Sequence, residues 1–275
     1  MQSIRHEDES VLITGASSGI GAEFARQLAA RGSTLVLVAR RGDRLEKLAA
    51  QLRAAHRVTV HTHVADLSAP AAGERLHDEL TERGIPVTSV INNAGFGMWS
   101  LFHESDPARL RDMVAVDVAA VMDISRAFIP DLRARGAGYL LNISSVAAYS
   151  SIPMQGAYSA TKAFVLSFTE ALWAETRGTG VRVLAFAPGV TSSEFFDVVG
   201  TQDATGGARA QTPAEVVRMA LHVLGRRNPP PSWVSGHLNH ALTLAPRYFT
   251  RRRAVLLAAN NTMRDAGPRP ADQPA

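Results

Sequence analysis

The 275-residue chain is 46% hydrophobic and 20% charged, the profile of an ordinary globular protein large enough to bury one sizeable α/β core. It contains no cysteine, which excludes disulfides and thiolate metal sites, and no apolar stretch approaches the ~18–20 residues of a membrane span, so a cytoplasmic protein without an export signal is expected. The net charge of +4 is uneven: residues 1–215 hold 18 Arg, 2 Lys and 23 acids, whereas residues 216–275 hold 9 Arg and 2 acids, giving −3 and +7.

Strand-length apolar runs alternate with helix-length segments. VLIT at 11–14 runs into TGASSGIG and a helix ending at Gly32. TLVLVA at 34–39 precedes RLEKLAAQLRAA, and VTVHTHVA at 58–65 precedes a helix ending at Gly84. VTSVIN at 87–92 is followed by a long helix from about Asp106 to Ala134. YLLNIS at 139–144 and VRVLAFA at 181–187 complete six strands. These runs are rich in Val, Ile and Leu with little polar alternation, as in strands buried on both faces of a parallel sheet. The repeated βα order predicts a Rossmann-like doubly wound sheet in a three-layer α/β/α arrangement. One domain is expected over residues 1–263. It carries a substrate lid at about 192–207 with Phe195 and Phe196, whose alternative is an ordinary loop. A helix opens at Thr212, a basic extension covers about 226–263, and the Pro-rich tail at 264–275 is expected to be disordered. In the extension, Arg251, Arg252 and Arg253 stand near Trp233, Tyr248 and Phe249. A solvated helix face is the first reading; an anionic membrane surface, acidic partner or anionic substrate is the alternative. Nucleic acid is not expected, since the region carries no binding motif.

The turn after the first strand holds Gly15, Gly19 and Gly21, spaced G-x-x-x-G-x-G, with Ser17, Ser18 and Ile20 between them. Glycines let backbone N–H groups and the positive helix end approach a pyrophosphate; the alternative is a tight turn only. At the end of the second strand the chain reads Val38, Ala39, Arg40, Arg41. NAD needs an acid here for the ribose hydroxyl and a 2′-phosphate needs a cation, so NADP(H) is expected, with Arg40 as first contact and Arg41 as second. The competing reading is two surface arginines in an Arg-rich chain.

Tyr158 and Lys162 lie at i, i+4, on one face of a helix. A free phenol titrates near pH 10, so proton exchange at neutral pH needs a shift of about three units, ~4 kcal/mol, which a neighbouring ammonium helps to supply. Of 29 cationic residues only Lys47 and Lys162 are Lys, which suggests that the position beside Tyr158 wants a compact ammonium.

On TGASSGIG, Asp66 in VADLS, NNAG at 92–95, Ser145, YSATK from Tyr158 and PGVTSS from Pro188, the chain resembles the short-chain dehydrogenases/reductases of the small single-domain type over roughly residues 8–225. The resemblance implies an NADPH-dependent enzyme that reduces a ketone or aldehyde to an alcohol, or the reverse. In it Ser145 orients the carbonyl oxygen, Tyr158 exchanges the proton, and Lys162 lowers the tyrosine pKa and holds the ribose. It assigns Asp66 and Leu67 to the adenine, Asn93, Ala94 and Gly95 to the adenosine side, and Pro188, Gly189 and Val190 to the nicotinamide. A homodimer or homotetramer is also implied. Singly, Ser144, Ser145, Asp66, Asn92 and Asn93 read as caps or turn residues; jointly, at strand ends, they read as a site.

Two departures stand out. Asp117 occupies the place of a family asparagine that helps to hold a relay water, and a carboxylate accepts hydrogen bonds but cannot donate them. Activity is still expected, with the water kept by a backbone carbonyl. Ser193 replaces the threonine that binds the carboxamide and keeps its hydroxyl. His61 with His63, and His237 with His240, are read as polar residues rather than metal ligands. Phe96, Met98, Trp99, Tyr149, Met154 and Phe195 are candidates for an apolar pocket or for core. The alternative function is a non-catalytic NADP-binding sensor or scaffold; epimerase chemistry would need a larger C-terminal domain.

Overall fold

In the computed structural model the described residues are 4–195, 199, 210–244 and 248–263. The strands form because their side chains can be buried on both faces: β1 (Ser10–Thr14), β2 (Thr34–Ala39), β3 (Val60–Val64), β4 (Ser89–Asn92), β5 (Tyr139–Ile143) and β6 (Arg182–Ala187). All residues of β1, β4, β5 and β6 are buried. Every pairing is parallel, in the order β3-β2-β1-β4-β5-β6 with one further strand beyond β6. The seventh strand, β7 (Ser232–Val234), corrects the expected six. Three residues following Pro229–Pro231 carry too short a pattern to be read as a strand.

The helices are α1 (Gly19–Ala29), α2 (Gly42–His56), α3 (Ala72–Glu82), α4 (Pro107–Val114), α5 (Ala120–Arg135), α6 (Gly156–Glu175), α7 (Pro213–Leu224), α8 (His237–Leu244) and α9 (Arg251–Thr262). One hydrophobic layer, with Phe24, Leu28, Val217 and Leu224, packs α1, α2 and α7 on one face of the sheet. The other, with Leu76, Leu80, Ile124 and Phe128, packs α3 and α5 on the opposite face. Full burial of each such side chain contributes about 1.5–3 kcal/mol, and the two layers give the expected three-layer α/β/α architecture. Chain direction across the sheet reverses between β1 and β4, which opens a crevice at the carboxyl ends of the strands.

Two helix starts are clearly legible in chemistry. Asp106 caps α4 by accepting from the Ala108 N–H, ahead of Pro107, and Thr212 with Glu215 forms a capping box on α7. The long helical stretch expected from about Asp106 to Ala134 is continuous over α4 and α5, with a π turn, Ala115–Ala119, between them. No helix among the described residues is long and apolar enough to cross a membrane. Of the expected lid, Ser192–Phe195 and residue 199 are described; Phe196 and most of the remainder lie outside the described residues, as does the 264–275 tail.

Candidate active site

A cleft of about 880 Å³ opens over the carboxyl ends of the strands. Every residue assigned to catalysis or cofactor binding from sequence lines it except Gly21 and Asp117. Those two lie directly behind the lining.

The glycine turn supplies one wall. Gly15 has a φ of +66°, which favours glycine. A Cβ on Gly21 would collide with the Gly15 carbonyl oxygen and with Asn93 Nδ2. The turn is therefore closed beneath and open toward the cleft, where the N-terminus of α1 presents its free N–H groups. That cradle fits a pyrophosphate. Asn93 holds it from below: its Nδ2 donates to Thr14 O at 2.9 Å, and its backbone N–H, like that of Ala94, donates to Thr14 Oγ1 at 3.0 Å.

The next wall comes from the ends of β2 and β3. Arg40, Arg41, Asp66 and Leu67 line the cleft together. Asp66 Oδ1 accepts from the Ser68 N–H and hydroxyl, which holds its carboxyl below the usual carboxylate range; Arg40 adds to the same effect. Arg41 donates to Ser17 Oγ at 3.0 Å, to Ser18 Oγ at 2.8 Å and to Glu194 at 3.0 Å, and Arg44 meets the same Glu194 carboxylate at 2.8 Å.

Farther along the cleft, α6 begins at Gly156 and brings Tyr158 and Lys162 onto one face. Tyr158 is 8% exposed, with its ring 5.5 Å from that of Phe195 and 5.7 Å from Lys162 Nζ. Ser145 Oγ accepts from the Ala147 N–H at 3.1 Å, so the capping alternative describes part of its role, and the hydroxyl proton is left to donate toward Tyr158 or a ligand. Lys162 Nζ lies 3.1 Å from Asp117 Oδ2 and donates to Ile143 O at 3.4 Å. Asp117, fully buried, also accepts from the Phe96 N–H at 3.0 Å. Asp117 thus pairs directly with Lys162, because a carboxylate attracts the ammonium more strongly than a neutral amide would. A Cβ at Gly95 would crowd both charges, so this corner is tightly fitted.

Burial pushes the Tyr158 phenol above its ordinary value; Lys162 and Ser145 pull it down, and Asp117 pushes it further up. Without a bound cation the balance is upward, so the lysine alone does not produce a neutral-pH phenol. Burial works against a charged Lys162, but the Asp117 carboxylate and Tyr158 outweigh it and hold the ammonium protonated. Burial raises the Asp117 carboxyl against the pull of Lys162.

The expected apolar set divides. Phe96, Trp99 and Phe195 line the cleft, Met98 and Met154 line a second cavity of about 260 Å³ on the far side of Tyr158, and Tyr149 lines neither. Sequence reasoning missed the C-terminal wall: Leu242, Phe249 and Leu257, on or between α8 and α9, face the same cleft. It also missed Gly189 packing beneath Asn239, where a Cβ would collide with the side-chain amide. No motif marks these contacts, because they depend on how the end of the chain folds back. His63 Nε2 lies 3.2 Å from Glu79, and His237 and His240 fall on α8.

The family pattern described as short chain dehydrogenase matches residues 9–204. Sulfoacetaldehyde reductase 2 of Chromohalobacter salexigens is 38% identical over 206 residues, covering 74% of this chain and 79% of that protein. Galactitol 2-dehydrogenase (L-tagatose-forming) of Cereibacter sphaeroides is 33% identical over 234 residues, 82% of this chain and 89% of its own. The solved short-chain dehydrogenase from Sphingobium yanoikuyae in complex with NADPH superposes with a TM-score of 0.76 at 30% identity, covering 97% of this chain and 98% of that one.

Proposed function

The chain belongs to the short-chain dehydrogenase family, and on that premise we propose that this oxidoreductase reduces a ketone or aldehyde to an alcohol with NADPH, or runs the reverse. The observation that carries the reading is the buried Tyr158 with Lys162 one turn along, in a cleft continuous with the glycine turn. When bound, the nicotinamide cofactor supplies or accepts the hydride. Gly15, Ser17, Ser18, Gly19, Ile20 and Gly21 hold its pyrophosphate, and Asp66, Leu67, Asn93, Ala94 and Gly95 its adenosine side. Pro188, Gly189, Val190 and Ser193 hold the nicotinamide side. Arg40 and Arg41, with no acid at the end of β2, favour a 2′-phosphate.

The chain's own residues manage the proton. Ser145 and Tyr158 donate hydrogen bonds to the carbonyl oxygen, and the Tyr158 hydroxyl proton passes to it as it becomes the alcohol oxygen. The remaining phenolate is stabilised by the Lys162 ammonium, which Asp117 and Ile143 O hold in place. In oxidation the same groups work in reverse, with the phenolate taking the alcohol proton. Phe96, Trp99, Phe195, Leu242, Phe249 and Leu257 give the substrate an apolar enclosure.

A panel of carbonyl compounds with NADPH tests the proposal. Tyr158→Phe should lower turnover by ~10²–10⁴-fold while cofactor binding persists. Binding of NADPH without turnover, indifferent to that substitution, would instead identify a sensor.

A further inference from the structure

Glu194 stands across the cleft from the arginines it contacts. It follows β6, whereas Arg41 and Arg44 follow β2, and β1, β4 and β5 lie between those two strands in the sheet. The contact spans 153 residues of sequence and is short at both arms: 3.0 Å to Arg41 and 2.8 Å to Arg44. Neighbouring Ser193 lies over the glycine turn, since a Cβ on Gly19 would be 3.2 Å from Ser193 Cβ. The bridge therefore crosses the groove at the glycine turn, and both Arg41 and Glu194 line the cleft.

All three nitrogens of the Arg41 guanidinium are engaged. Nε and Nη2 donate to the Ser17 and Ser18 hydroxyls, and Nη1 donates to Glu194. A phosphate arriving beside Ser17 and Arg40 competes with Glu194 for the Arg41 guanidinium and settles near that carboxylate. A phosphate monoester carries about −1.5 to −2 charges at neutral pH, so it feels both the competition and the repulsion. A ribose hydroxyl at the same place feels neither.

We propose that Glu194 is a specificity-determining residue that competes with the cofactor 2′-phosphate for Arg41 and so limits the preference of the site for NADP(H) over NAD(H). This rests on the NADPH reading above. The bridge is partly exposed, with side-chain exposures of 43% for Arg41 and 44% for Glu194, so its weight is that of a solvent-screened contact and the effect is moderate.

Equilibrium binding of NADP⁺, NAD⁺ and 2′,5′-ADP to the purified protein and to Glu194→Gln tests this without relying on turnover. Glu194→Gln should bind NADP⁺ and 2′,5′-ADP about five-fold more tightly and leave NAD⁺ within two-fold, with the gain shrinking in high salt. Arg44→Gln, which leaves Glu194 wholly to Arg41, should weaken NADP⁺ binding. If Glu194→Gln weakens both cofactors alike, the bridge clamps rather than competes, and the inference fails. Unchanged NADP⁺ binding also overturns it. The NADPH reading is judged separately: it fails if the unaltered protein binds NAD⁺ as tightly as NADP⁺, whatever the variants do.

Discussion

The two ends of the cleft handle charge in opposite ways. At the adenosine end Arg41, Arg44 and Glu194 are each more than 40% exposed on their side chains and share donors through a surface network. At the Tyr158 end Lys162 and Asp117 are 6% and 0% exposed and form one tight pair. Water screens the first set, so its partners can be exchanged for a ligand at modest cost. The second set is desolvated, so neither charge can be removed without stranding the other. The contrast suggests a division of labour: the wet end chooses the cofactor and the dry end fixes the protonation state of the chemistry.

The strongest test of that contrast is Lys162→Met, which leaves a buried carboxylate without its cation. It should destabilise the fold by about 3–5 kcal/mol in urea unfolding and lower turnover by about 10²-fold or more. Adding Asp117→Asn should recover much of the stability and little of the turnover. Recovery of both would mean that Lys162 serves only to neutralise Asp117.

Asp117→Asn alone sharpens the electrostatic claim. The carboxylate pushes the Tyr158 phenol up, so its removal lowers that pKa, and the limb of the alcohol-oxidation profile that needs the phenolate should move toward acid. Turnover should change by less than about ten-fold. An unshifted pH profile would show the two groups to be uncoupled.

Replacing Arg40 and Arg41 together with serine should cost about ten-fold or more in the ratio of NADP⁺ to NAD⁺ affinity, without changing urea stability by more than ~1 kcal/mol. A comparable loss of stability would remove the distinction between the two ends.

The smallest effect lies outside the cleft. His77 Nε2 is 2.8 Å from Asp131 Oδ2, and this hydrogen bond raises the imidazole pKa. A raised folded-state pKa means that its contribution is complete below the ordinary histidine value and is lost as pH rises through the folded one. Between pH 6 and 8 the unaltered protein should therefore lose about 1–2 °C more in Tm than Asp131→Asn does.

The sheet was legible in the sequence wherever strands are buried on both faces, since an unbroken run of Val, Ile and Leu then carries the signal. It failed at Ser232–Val234, where three residues are too few. The glycine turn, Tyr158, Lys162 and the arginines after β2 were legible because chemistry fixes their local spacing. Asp117 was legible as an unexpected residue, but its direct contact with Lys162 was not, because the distance depends on how a helix is wound. Glu194 was invisible as a partner of Arg41: the two lie 153 residues apart and only the sheet order brings them together. The C-terminal wall was taken for a basic extension because its charges are conspicuous in sequence and its cleft-facing leucines are not.

The π turn at Ala115–Ala119 gives the site an angular phase as well as a composition. A regular helix advances about 100° per residue, and a π turn absorbs one extra residue without breaking the rod. Upstream of it α4 faces the cleft through Arg109 and Asp112; downstream, α5 buries Ala120, Ile124 and Phe128 against the sheet. Asp117 sits within this turn, fully buried, four residues after the buried Met113 of α4. Removing one residue there would conserve every motif in the chain and turn the two helices relative to each other by about a quarter of a circle. Lys162 would keep its place and lose its counterion, so the spacing of this rod belongs to the reaction as much as the residues that touch the substrate.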